Sequence, residues 1–166
     1  VAENDQLKEQ LDTYRSTLAQ YEQNSYELDR LQKLYELDAQ YTDYDKTGAR
    51  VISKDTGNWF DVFYIDKGTD DGLSIGCNVL YGNGLCGIIT EIGVDYAKVR
   101  SIIDDTTNVN ATILPAQAIC NVSGSLTNYA DGYLLAENID KDADISEGDQ
   151  VVTSHVSSKY LSGINI

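Results

Sequence analysis

Residues 3–44, ENDQLKEQLDTYRSTLAQYEQNSYELDRLQKLYELDAQYTDY, hold neither glycine nor proline, and their apolar side chains return at Leu7, Leu11, Tyr14, Leu18, Tyr21 and Leu28. Alternating steps of four and three are the signature of a coiled-coil seam on one long helix. Written as a heptad, Asn4, Leu11, Leu18 and Ser25 share one core position while Leu7, Tyr14, Tyr21 and Leu28 share the other. The polar members, Asn4 and Ser25, fix register at some cost in stability. Beyond Leu28 the phase slips: Leu31, Leu34, Leu37 and Tyr41 lie one residue early, which widens the stripe toward the 3.6 period of a helix packing on a domain. At 1.5 Å per residue a helix of about forty residues is about 60 Å long, more than a small domain is wide. Part of it is expected to project and pair with a second copy; the competing arrangement is one amphipathic helix lying along its own domain.

The net charge of −15 is spread along the chain, with no run of Lys or Arg. Nucleic acid and anionic lipid surfaces require basic patches and are therefore poor partners. No stretch approaches the roughly twenty apolar residues of a membrane span. The chain opens at Val1-Ala2-Glu3 in mid-helix, without an initiator Met or an N-cap, so an upstream targeting segment is expected to precede it. Cys77, Cys86 and Cys120 form an odd set without a C-x-x-C pair, which argues against a disulfide framework and a zinc site and for three small buried hydrophobes.

Gly48 is the first glycine, and from there the period changes to 2. Strands are expected at Ala49–Ser53, Trp59–Ile65, Asn78–Tyr81, Leu85–Ile92, Ala97–Ile103, Val109–Leu114, Ile119–Ser123, Tyr133–Ile139 and Gln150–His155, with no second helix. Leu85, Cys86, Ile88, Ile89 and Ile92 are nearly continuous, as in a strand buried on both faces. Short strands joined by tight turns imply antiparallel sheets, and closure into barrels removes exposed edges. The expected fold is mainly β: a coiled-coil helix over residues 1–44, then a β-rich module over 45–166 forming one barrel or two small ones.

Motifs that could carry chemistry break down on inspection. Asp140, Asp142 and Asp144 copy the first half of a calcium loop, but Ile145 stands where the turn needs glycine and Val151 where it needs a bidentate Glu. Asp66–Gly72 has its glycine one place late and Cys77 in the Glu position. The only histidine, His155, adjoins Ser154, but neighbours on a strand point to opposite faces, and no G-x-S-x-G elbow is present. No catalytic, metal or cofactor residues are assigned.

Taken in order, Arg50-Val51-Ile52, Ile65-Asp66-Lys67-Gly68-Thr69-Asp70-Asp71-Gly72-Leu73 with Gly76 and Val79, Gly84-Leu85-Cys86-Gly87-Ile88, Ile103-Asp104, Gly148-Asp149-Gln150-Val151-Val152-Thr153-Ser154 and Gly163-Ile164 resemble the successive signatures of the rod shape-determining MreC family. Departures are Cys77 where the family often has methionine, His155 where glycine usually follows Thr-Ser, and Leu161 where proline is common. The resemblance implies two small six-stranded barrels, a fold likened to chymotrypsin-type proteases without their active site. It also implies a single-pass protein of the bacterial cytoplasmic membrane, its bulk extracytoplasmic, with MreD, MreB, RodA and a class B penicillin-binding protein as partners and self-association into dimers or filaments.

The leading expectation is a non-enzymatic scaffold of cell elongation that self-associates through the Leu7–Leu28 seam and docks peptidoglycan synthases through its β surface. A cell-wall hydrolase built on His155 and a ligand-binding β module on a stalk are the competing readings. Trp59, Tyr81 and Tyr129 adjoin turns and are the candidate partner anchors, because tyrosine and tryptophan combine large contact area with a polar handle.

Overall fold

The computed structural model describes residues 2–54, 61–156 and 158–166. Its contacts divide the chain into two units, Val1–Lys46 and Thr47–Ile166.

The first unit is built on α1 (Ala2–Gln40), an uninterrupted run of 39 residues. Tyr41–Tyr44, which the apolar stripe had extended into the helix, form turns instead. A lysine ends it: the Lys46 ammonium donates to the carbonyls of Asp38 at 2.7 Å and Tyr41 at 2.6 Å and pairs with the Asp38 carboxylate at 2.8 Å. A cation over the last unpaired carbonyls satisfies both their hydrogen-bonding need and the negative end of the helix dipole. Along the shaft, Glu27–Arg30 and Asp29–Lys33 ion pairs follow the acid-first order that supports a helix.

The second unit holds two antiparallel sheets. The first contains β1 (Val51–Lys54), β2 (Val62–Ile65), β3 (Asn78–Tyr81), β4 (Gly84–Ile92) and β5 (Ala97–Ser101), in the order β1-β2-β5-β4-β3. The second contains β6 (Asn108–Leu114), β7 (Ala118–Ser123), β8 (Leu135–Glu137) and β9 (Gln150–Thr153), in the order β8-β7-β6-β9. Phe63, Ile65, Ile89, Ala97 and Val99 form the core of the first sheet, with Leu73, Cys77, Val79, Cys86 and Ile92 packed against them. On β4, both Ile88 and Ile89 are buried, as its continuous apolar run predicts. In the second sheet alternation is regular: Val109, Ala111 and Ile113 of β6 and Ala118, Cys120 and Val122 of β7 are all buried.

Closure into barrels is not found. Among the described residues no ladder joins β1 to β3 or β8 to β9, so both sheets remain open. Their edges are managed otherwise. The last residues of the chain run beside β9, where Asn165 bridges to Val152, and the Leu85 amide of β4 donates to the Asn165 carbonyl at 2.7 Å. Register shifts at Val51/Ser53, Val79/Leu80 and Ile89/Glu91 bend three ladders of the first sheet.

A second helix, absent from the period-based expectation, is α2 (Leu126–Ala130). The Ser125 hydroxyl accepts from the Asn128 amide at 3.3 Å, and the Asp105 carboxylate accepts from the Leu126 amide at 2.8 Å. Two side-chain acceptors thus stand at the start of a helix too short to show a hydrophobic period.

Candidate interaction surfaces

The six seam residues of α1 lie on one side of a helix and are all uncovered. Leu7, Leu11, Tyr14, Leu18, Tyr21 and Leu28 are between 49% and 73% exposed. Burial begins only past the phase slip, with Leu37 half-buried and Tyr41 buried. Fully covering a leucine is worth about 1.5–3 kcal/mol, so a continuous row left in water is a candidate interaction surface.

Of the expected anchors, Trp59 lies outside the described residues. Tyr81 ends β3 and is 83% exposed, standing on its own at the β3–β4 turn. Tyr129 belongs to α2, and the turn after it, with Gly132 in the left-handed region (φ 89°), brings Tyr133 round so that its amide donates to the Asn128 carbonyl. Both tyrosines border an open cleft of about 370 Å³ whose other walls include Ile102, Ile103, Val122, Ala136 and Val151. Because α2 ends at Ala130, the four-residue spacing of the two tyrosines is no helical signal; the turn at Gly132 brings them to one cleft, and the cleft behind them depends on sheet register. Its lining is apolar, without the converging polar groups that a small-molecule site uses to orient a ligand.

The other polar candidates build turns. The Asp71 carboxylate accepts from the Gly68 amide at 3.1 Å and pairs with Lys67 at 2.8 Å across a 3-10 turn at Thr69–Asp71. The Lys67 hydrogen bond, then the Gly68 amide, holds the Asp71 carboxyl below its usual range, and the same bond raises Lys67. Asp140 accepts from the Asp142 amide at 3.1 Å. Ser154 is buried, its hydroxyl accepting from the Val156 amide at 3.2 Å, while His155 is exposed in the turn after β9. The structure therefore separates the histidine from the serine that adjoins it. All three cysteines are free, and burial pushes the Cys86 thiol up to about 11, far from the range of a reactive thiolate.

Residues 51–166 match the model of the family described as rod shape-determining protein MreC, barrel core. The cell shape-determining protein MreC of Listeria monocytogenes is 31% identical over 99% of this chain and 56% of its own length. The chain spans about half the length of the curated relatives it matches. A solved MreC structure from Listeria monocytogenes superposes with a TM-score of 0.67 at 31% identity, covering 99% of this chain and 79% of that one. A more distant structure, of the major periplasmic domain of the cell shape-determining filament MreC, shares the fold with a TM-score of 0.60 at 19% identity, covering 71% of this chain and 76% of that one. This chain, with its long amino-terminal helix and two antiparallel sheets, belongs to the MreC family of rod shape-determining proteins.

Proposed function

We propose that this chain is a non-enzymatic scaffold of bacterial cell elongation, in which α1 pairs two copies as a coiled coil and the β module docks peptidoglycan synthases. The observation that carries the reading is the uncovered row from Leu7 to Leu28, which a second copy would bury. One solved relative is described as a cell shape-determining filament, in keeping with self-association. The family likeness supplies the candidate partners, a class B penicillin-binding protein, RodA, MreD and MreB. It also supplies the setting, a cytoplasmic membrane that holds the scaffold through a segment outside this chain, with the bulk extracytoplasmic. Residues 1–44 serve as the rod and 45–166 as the docking module, with Tyr81 and the Tyr129/Tyr133 pair as its anchors.

Sedimentation of the chain over a concentration series tests the pairing, and capture of a purified class B transpeptidase by the immobilised β module tests the docking. A dimer and saturable capture are expected. A monomer at every concentration removes the scaffold's rod, and loss of capture removes its cargo.

A further inference from the structure

We infer that the outer face of the first sheet holds a site for a compact oxyanion, a phosphate or carboxylate group seated between the Arg100 guanidinium and the Tyr160 hydroxyl. Val62, Arg100, Ile88 and Asn78 stand directly opposite one another across β2, β5, β4 and β3, so their side chains form one row on one face. Residues 159–161 are fastened to the Asn78 end of that row. The Asn78 side-chain amide donates to the Lys159 carbonyl at 3.4 Å, and its side-chain oxygen accepts from the Leu161 amide at 2.7 Å. Tyr160, held between those two bonds, is 5% exposed, and so is Ile88. Arg100 lies two strand spacings from Asn78, about 9.5 Å. Burial pushes the Tyr160 phenol above its ordinary range and the Arg100 charge pulls it back, so the ring points along the row toward Arg100.

Two donors meet there without an acceptor. Among the described residues the Tyr160 hydroxyl is the one buried side-chain polar atom with no hydrogen-bond partner. Burial keeps it protonated at neutral pH, so its proton is available to donate. Arg100 is exposed, and its guanidinium has neither an ion pair nor a side-chain hydrogen bond among the described residues. A guanidinium only donates, so it cannot take the phenol's proton. The Lys159 ammonium, 5.3 Å from the centre of the Tyr160 ring, adds a second positive charge.

An oxyanion accepts from the guanidinium fork and the hydroxyl together, which satisfies a donor that is costly to bury alone. The hydroxyl is closed to solvent while Arg100 is open to it, so the anion enters over Arg100. The net charge of −15 repels extended polyanions, which restricts the site to a compact group.

Thermal melting of the unmodified chain, Tyr160→Phe and Arg100→Gln in inorganic phosphate, in acetate and in chloride at matched ionic strength tests the site. In chloride, Tyr160→Phe should melt at or above the unmodified chain, because an unsatisfied buried donor has been removed. Phosphate or acetate should raise the melting temperature of the unmodified chain saturably, and the anion that does so names the group. Each variant should bind that anion about tenfold or more weakly, as expected for a lost hydrogen bond to a charged group. Arg100→Lys, which keeps the charge and loses the fork, should fall between. The site is overturned if neither anion stabilises beyond chloride, or if all the chains are stabilised alike, as by salts excluded from the surface. It is equally overturned if Tyr160→Phe melts below the unmodified chain in chloride, since the hydroxyl would then already be satisfied by water.

Discussion

Thr153 and Ile164 are joined twice: the Thr153 amide donates to the Ile164 carbonyl at 2.7 Å, and the Ile164 amide donates to the Thr153 hydroxyl at 2.8 Å. Both residues are 1% exposed. The Thr153 hydroxyl also donates to the Leu161 carbonyl, and the Gly163 amide donates to the Thr153 carbonyl at 2.9 Å. From there the segment crosses to the first sheet, where the Leu161 amide donates to the Asn78 side chain at 2.7 Å and the Asn165 side chain donates to the Asn83 carbonyl at 3.2 Å. One short stretch thus fastens the edge of the second sheet to the β3–β4 hairpin of the first.

Thr153→Val keeps the shape of that junction and deletes its hydroxyl, leaving the Ile164 amide and the Leu161 carbonyl without their partner. An unsatisfied buried group costs about 1–3 kcal/mol, so the melting temperature should fall by several degrees, whereas Thr153→Ser should lose much less. Equal melting of the valine variant and the unmodified chain would remove the hydroxyl from the account.

Two glycines permit the same approach for different reasons. A Cβ on Gly84 would collide with the Asn165 carbonyl, and Gly163 sits at φ 82°, where an alanine is strained by about 1–2 kcal/mol. Gly84→Ala and Gly163→Ala should each lower stability, measured by chemical denaturation. Gly48→Ala, with open space around it and no left-handed backbone, should be neutral or slightly stabilising.

How much of this was legible without coordinates depends on the range of the interaction that decides each feature. The α1 helix and strands such as β3 are set by neighbours within a few residues, and the strand expected at Asn78–Tyr81 is found with those bounds. Whether the sheets close depends on which edges meet, and the partner of the β9 edge is Asn165, whose place there no local pattern encodes. Helix α2 was missed because five residues cannot show a period, although Ser125 marks its start. Among the surfaces, the seam was readable as a row, while the cleft needs Ile103, Val122 and Val151 brought together from separate strands and connections.

Lys46 is expected to hold the end of α1 by more than its charge. Replacing it with glutamine removes a cation from the Asp38 and Tyr41 carbonyls and the Asp38 carboxylate. Amide exchange over Leu37–Tyr41 should quicken several-fold, consistent with about 0.5–1 kcal/mol for a charge at a helix terminus. Unchanged exchange would mean that the turn at 41–44 stops the helix unaided.

Acid should loosen the turn at Thr69–Asp71. The folded carboxyl of Asp71 is held below its ordinary value by Lys67 and the Gly68 amide, so its contribution is present above the unfolded carboxylate pKa and is lost as pH falls through the lowered folded value. The stability difference between the unmodified chain and Asp71→Asn should therefore be constant near neutrality and vanish in strong acid. A difference that persists there would assign the effect to the geometry of the turn.

The seam can be separated from mere surface apolarity, because α1 carries tyrosine on other faces too. Tyr26 is 73% exposed, as much as Tyr14, yet it lies one place past the core position that Ser25 occupies. If exposed apolar area alone drove association, Tyr26→Asp would weaken it as strongly as Leu18→Asp. If interlocking heptads drive it, Leu11→Asp and Leu18→Asp should each abolish the dimer, since a charge would replace a leucine worth about 1.5–3 kcal/mol of burial in both copies at once. Tyr26→Asp should leave the dimer intact. Sedimentation of the three variants at matched concentration decides between these outcomes, and equal loss in all three would dissolve the heptad as the cause of pairing.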